Sequence, residues 1–460
     1  VVLVEAGFGR SLCCGSRVSV KLMASTRSSW APRRHPGKPV GILIATPLAV
    51  VVAFAIVGAG ERIEYVAGEA GREGSETTLH GHMAVVRTPE TPDMWVAALR
   101  HVEKSTRYDA AQAIGEVASR SKMPKQVLEA LGEALTDDEG DVRIAAAWAI
   151  AEVAGESDIP AEVVRALAAA LTDGEKNVRY HATRAVGEAA RKRRIPSEVV
   201  DAAAAAALKD SEREIRIIAA GAIGQVANES EVSLTVLDAL AEALTDRDRH
   251  VRLLTALALG CAARIGSMPE EVTRALAEAL RDAEANVRVV AAQSIREVAS
   301  KHQIPAIVIS LLGKALNDSE RNVRVTAAQA LGQAGVNNDV PQDVIDALVE
   351  ALKDVDEDVR GNAALALGDV AHEEDVAQIV VSRLVVALKD GEKSVRARAA
   401  WAIGVVASRR KVSMEVLDAL GEMLEDPDVE VRQTCAQALG KAAGSNEIPI
   451  DIVKAMAELQ

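Results

Sequence analysis

The stretch Asp318–Gly332, D-S-E-R-N-V-R-V-T-A-A-Q-A-L-G, decides the fold. Arg324 lies at its centre, and a step of 36 residues in either direction meets another arginine. The series is Arg107, Arg143, Arg179, Arg216, Arg252, Arg288, Arg324, Arg360, Arg396 and Arg432, with one step of 37 between Arg179 and Arg216. Self-similarity at a fixed period of this size is the signature of a solenoid, in which one small helical or stranded unit stacks on the next.

Each unit reads as two helices. A proline usually precedes the arginine by 19 residues, as at Pro124, Pro160, Pro269, Pro305 and Pro341; Pro196 lies 20 before it, in the unit with the extra residue. Proline suits a first helical turn, where its missing N–H is not needed. An apolar run at helical spacing follows, such as Val344, Leu348 and Leu352. It ends near an aspartate six residues before the arginine: Asp137, Asp173, Asp210, Asp246, Asp282, Asp318, Asp354, Asp390 and Asp426, with His101 in the first unit. Asp141, Asn177, Asn286, Asn322, Asp358 and Ser394, two before the arginine, are good N-caps for a second helix.

That placement puts every arginine in a first helical turn, where the helix dipole disfavours a cation. Ten repetitions of an unfavourable choice imply a compensating partner. The recurring aspartate is the obvious one, either within the unit or on its neighbour. Pairs drawn from Asp137, Arg143, Asp173, Arg179, Asp282, Arg288, Asp318, Arg324, Asp354 and Arg360 are therefore expected to form a ladder along the stack.

The aspartate, the Val-Arg pair (Val323 and Arg324) and the following Ala-Ala-x-Ala-Leu-Gly resemble the HEAT repeat, in the short form of phycobilisome-lyase-like HEAT proteins. The resemblance covers about residues 88–460. It implies an all-α, right-handed α-solenoid of about ten two-helix units. At 36 residues the unit is shorter than the usual HEAT period of about 40–47.

Composition agrees with a stack of small side chains. Aromatic residues are 2% of the chain, so burial falls to alanine, leucine and valine. The net charge of −14 argues against a general nucleic-acid binder, which needs a basic face for phosphates. The four cysteines, Cys13, Cys14, Cys261 and Cys435, have no zinc spacing and form no disulfide framework.

Four segments are expected: a basic N-terminal segment over 1–39, an apolar run over 40–60, a polar linker over 61–87 and the repeats over 88–460. Val40–Gly60 is 21 uncharged residues, about 31 Å as a helix and long enough for a bilayer core. Basic residues precede it and Glu61, Glu64, Glu69, Glu73 and Glu76 follow, so the sequence predicts a single-pass membrane protein with extracytoplasmic repeats. A cleaved signal ending near Gly58-Ala59-Gly60 is the rival reading.

On the second helix, with the arginine at 0° and 100° per residue, offsets −1, +3, +4, +7, +10 and +11 fall on one core-facing arc. Offsets +1, +2, +5 and +9 face away from the stack, and the resemblance makes that arc a concave binding face. It carries Ile217, Ile218, Leu253, Leu254, Leu257, Val289 and Val290 in units four to six, an apolar surface of the kind that marks a contact site. It also carries Trp148 and Trp401, both at +5, as candidate anchors. No metal or cofactor is implied: His80-x-His82 supplies too few ligands. The only His-Glu pair, His372-Glu373, is one short of the two that HEAT-like hydroxylases use. The sequence thus predicts a non-catalytic scaffold for a protein or peptide partner, without nucleic acid and held at a membrane through residues 40–60. The alternatives are a sensor domain of a larger membrane receptor and a HEAT-like enzyme such as a bilin lyase.

Overall fold

The computed structural model describes residues 91–118, 122–191, 197–371 and 374–458. These residues form twenty-one α-helices and two short 3₁₀ turns, with no strand among them. Units one to five are α1 (Pro92–Leu99) with α2 (Lys104–Ala118), α3 (Lys125–Ala134) with α4 (Gly140–Ala154), α5 (Ala161–Ala170) with α6 (Lys176–Arg191), α7 (Ser197–Leu208) with α8 (Arg213–Ala227), and α9 (Leu234–Ala243) with α10 (Arg249–Ala263). Units six to ten are α11 (Glu270–Glu278) with α12 (Ala285–Ala299), α13 (Ala306–Ala315) with α14 (Arg321–Gly335), α15 (Gln342–Ala351) with α16 (Glu357–Val370), α17 (Glu374–Ala387) with α18 (Lys393–Arg409), and α19 (Met414–Glu422) with α20 (Val429–Ala442). α21 (Ile450–Glu458) begins an eleventh. Each second helix packs on the second helix of the next unit, and the first helices do likewise except at α15 and α17, where contact is slight at most; two helical layers thus enclose the core.

The core-facing arc of the second helix is buried as its spacing requires: in α14, Val323, Ala327, Ala328, Leu331, Ala334 and Gly335 are all buried. The second-helix layer is held close by small residues. Gly187, Gly260, Gly368 and Gly404, eight residues after the arginine, face Ala222, Ser294, Ala402 and Ala438, six after the arginine of the next unit. A Cβ at Gly368 would lie 2.9 Å from the Cα of Ala402.

The ladder arginine makes three contacts at once. Arg288 Nε and Nη2 donate to the two carboxylate oxygens of Asp318 in the next unit, at 2.7 and 2.8 Å. Its Nη1 donates to the main-chain carbonyls of Asp282 and Ala283, at the turn of its own unit. Asp318 in turn accepts from the N–H of Glu320, closing its turn. The same fork joins Arg107–Asp137, Arg143–Asp173, Arg179–Asp210, Arg216–Asp246, Arg252–Asp282, Arg324–Asp354, Arg360–Asp390 and Arg396–Asp426. The partner is always the following unit's aspartate; the arginine's own aspartate offers only its carbonyl. Burial alone would raise the Asp318 carboxyl, but the bonds from Arg288 and from the Glu320 N–H outweigh it and hold the group below the usual carboxylate range. In unit one, His101 Nδ1 accepts from the Glu103 N–H as the aspartates do elsewhere, and its carbonyl accepts from Arg107.

Two sequence expectations are corrected. The second helices begin two residues earlier than the N-caps Asp141, Asn177, Asn286, Asn322, Asp358 and Ser394 would place them. The capping position is four before the arginine, at Glu139, Glu212, Asp248, Glu284, Glu320, Asp356, Glu392 and Asp428. The ladder aspartate causes this, because its Oδ1 binds the N–H of that residue and ends the turn there. An acidic residue at this position also suits the helix dipole. The single-pass topology is likewise corrected. No described helix is long and apolar enough to cross a membrane. The longest, α18, has 17 residues and carries Lys393, Arg396, Arg398 and Arg409. Residues 40–60, on which that topology rested, lie outside the described residues, as do the expected segments 1–39 and 61–87.

Three outcomes follow. Arg288→Ala strands the Asp318 carboxylate at a site where both side chains are 12% exposed. Removing one member of so enclosed a pair should lower stability by about 2–4 kcal/mol, and a double-mutant cycle with Asp318→Ala should show coupling of about 1 kcal/mol or more. Gly368→Ala should destabilise by about 1–3 kcal/mol through forced helix separation. Gly440→Ala, where a Cβ meets nothing within 4 Å, should be neutral or stabilising by up to about 1 kcal/mol; thermal melts of the two variants check the contrast. The ladder aspartates titrate below their unfolded value, so their contribution is complete above the unfolded pKa and is lost as pH falls through the depressed folded pKa. Denaturant midpoints measured across the acid range should fall steeply below about pH 4, and less steeply in Asp318→Asn.

Candidate functional site

The second helices present the residues that the sequence singles out. Ile217, Leu253, Leu254, Val289 and Val290 are half-buried and pack against the core. Ile218 and Leu257 are half-buried as well. These seven residues come together on the neighbouring helices α8, α10 and α12, but as a partly covered strip. The cause is the close approach of adjacent second helices, which leaves offsets +1 and +2 to share their surface with the next helix.

The two tryptophans at +5 differ. Trp148 is half-buried and packs against the core of the first units, its ring lying where a Cβ of Gly115 would stand. It fills the gap between α2 and α4. Trp401 is 37% exposed, and the Lys441 ammonium sits 5.1 Å from its ring centroid. Trp401 borders a groove lined also by Leu365, Asp369, Ala397, Arg398, Glu430 and Thr434, which runs across α16, α18 and α20. One guanidinium nitrogen of Arg398 is buried there without a hydrogen-bond partner, 3.7 Å from Asp358.

Charged groups elsewhere on this layer are mostly engaged. Arg184 pairs with Glu152 across units two and three, and Arg191 with Glu188. His181 is pushed down to about 4, first by burial and then by the charge of Arg184, so its imidazole is neutral at pH 7. Burial pushes the Cys435 thiol up to about 12, which leaves it unreactive as a nucleophile. Among the described residues no group of three His, Cys, Asp or Glu side chains could hold a metal ion. His80, His82, His372 and Glu373 lie outside the described residues.

Sequence reading missed two features of this layer. One is the glycine row at +8, whose signal is its recurrence opposite small residues at +6. The other is a second set of ion pairs, more exposed than the ladder on the side of the base, joining a base three before the arginine to the capping acid of the next unit: Lys104–Glu139, Arg213–Asp248, Arg249–Glu284, Arg321–Asp356 and Lys393–Asp428. Both rows could have been found by aligning all ten units.

The family model for HEAT repeats matches residues 92–187, 164–260, 200–296, 309–385 and 381–458. No curated protein matches the chain. Among solved structures, a crystal structure of an engineered protein is similar, at 23% sequence identity and a TM-score of 0.48, over 77% of this chain and 99% of that one. With its paired helices matched from residue 92 to residue 458, the chain belongs to the HEAT repeat family.

Proposed function

We propose that the solenoid is a non-catalytic scaffold that binds a protein or peptide partner along its second-helix layer. HEAT repeats generally serve protein interaction, and a stack of this kind offers an extended surface rather than a closed pocket. The observation that carries the reading is Trp401. It is a large aromatic side chain, more than a third exposed, in a chain with 2% aromatics, and it stands at the wall of an open groove. Exposed tryptophan combines a broad apolar face with little conformational entropy to lose, and it is enriched among residues that dominate binding energy. The strip of Ile217, Ile218, Leu253, Leu254, Leu257, Val289 and Val290 is the second contact area. Its half-burial makes it a shallow apolar shoulder, suited to the flank of a partner helix. Trp148 contributes from within the layer, by holding α2 and α4 apart at the spacing the surface needs.

The test is a displayed peptide library selected on residues 88–460. Selected peptides should lose about 30-fold or more in affinity with Trp401→Ala, the size of a binding hot spot, while circular dichroism and the melting temperature stay nearly unchanged. Leu257→Asp should weaken the peptides that reach units four to six. Binders indifferent to both substitutions would place the contact on another surface and refute this assignment.

A further inference from the structure

The first helices share a buried position twelve residues before the arginine. It is Leu131, Leu167, Leu240, Leu276, Leu312, Leu348, Leu384 and Leu420, each fully buried, and Trp95 in unit one. Unit four alone has alanine there, Ala204. α7 reads S-E-V-V-D-A-A-A-A-A-A-L, and the extra residue of the 37-residue step falls within this run. In unit three the Val-Val pair stands eight residues before the closing leucine (Val163 to Leu171); in unit four the spacing is nine (Val199 to Leu208). Counted from either end, the core position is an alanine, Ala203 or Ala204.

The packing answers to this. A small apolar cavity of about 20 Å³ opens beside Ala203 and Ala204, walled by Thr183, Gly187, Ala222 and Ile223 among others. The buried side chains of the solenoid divide into two clusters at the same place: one runs from Trp95 to Ala203, the other from Ala204 to Ile452. The ladder does not break there. Arg179 Nε and Nη2 reach Asp210 at 2.7 and 3.1 Å, as in every other pair. The second helices also stay close, with Gly187 against Ala222.

We propose that α7 is a built-in break at which units one to three open independently of units four to ten, with the Arg179–Asp210 pair and the α6–α8 contact as its hinge. In a stack, cooperativity is transmitted only through the interface of adjacent units, so one weakened interface separates the opening of the two sides. A missing leucine side chain removes the contacts that would carry that coupling. The hinge lies on the second-helix side and the loss on the first-helix side, so opening spreads α5 from α7 and leaves the second-helix layer continuous.

Native-state hydrogen exchange, followed by mass spectrometry on the full chain, tests this. In the unaltered protein, α1–α6 should exchange through an opening that leaves α8–α20 protected. Ala204→Val, which fills the cavity, should raise protection of α5 and α6 by tenfold or more. Should valine be too large and lower protection instead, Leu240→Ala serves: it should install a second boundary between units four and five. Arg179→Ala should release α1–α6 at least tenfold more than Arg324→Ala releases the helices beside it. A single opening shared by all ten units in the unaltered protein would overturn the proposal. So would a Leu240→Ala variant with no new boundary.

Discussion

One guanidinium group, repeated, sets the terms for this molecule. A planar fork offers five N–H donors in fixed directions, and here two go to the next unit's carboxylate and one to the carbonyls of the arginine's own turn. The same group therefore joins first helix to second helix and unit to unit. Its reach is short and its geometry rigid, so the aspartate must arrive at the same height in every unit. This explains why the interval between ladder arginine and ladder aspartate is 30 residues at eight pairs and 31 at the Arg179–Asp210 pair. The chain absorbs its extra residue inside α7 rather than at the ladder.

The dipole argument gains a resolution from this geometry. A cation near a helix N-terminus is disfavoured, yet nine of the ten arginines, Arg107 to Arg396, are countered by a carboxylate that is itself bound to a main-chain N–H at the next turn. Placing charge in an enclosed site is tolerable when the pair is well aligned and further hydrogen bonds support it. The ladder supplies both at nine pairs. The base-to-cap pairs outside it hold their bases in solvent, and such pairs contribute little each.

Much of this was legible in the sequence because periodicity is a strong signal: the arginine series, the aspartate series and the core arc of the second helix follow from counting. Three things were not. Whether Arg288 reaches Asp282 or Asp318 depends on how units stack, which no single unit encodes. The start of the second helix was misplaced because Asn322 and Asp358 are good caps by type, while the turn is closed earlier by the ladder carboxylate. Trp148 and Trp401 occupy the same offset and look equivalent, but one fills a space above Gly115 and the other stands at a groove beneath Lys441. A side chain's exposure in a stack belongs to its neighbours as much as to its position.

His101 shows that the turn and the ladder are separable. It holds the turn of unit one with a ring nitrogen and a carbonyl, as the aspartates do. What it lacks is a carboxylate for a guanidinium. In units two to ten one aspartate does both tasks, closing its own turn and receiving the fork of the unit before. An imidazole performs the first without the second, so the turn is a local device to which the carboxylate adds the joint between units.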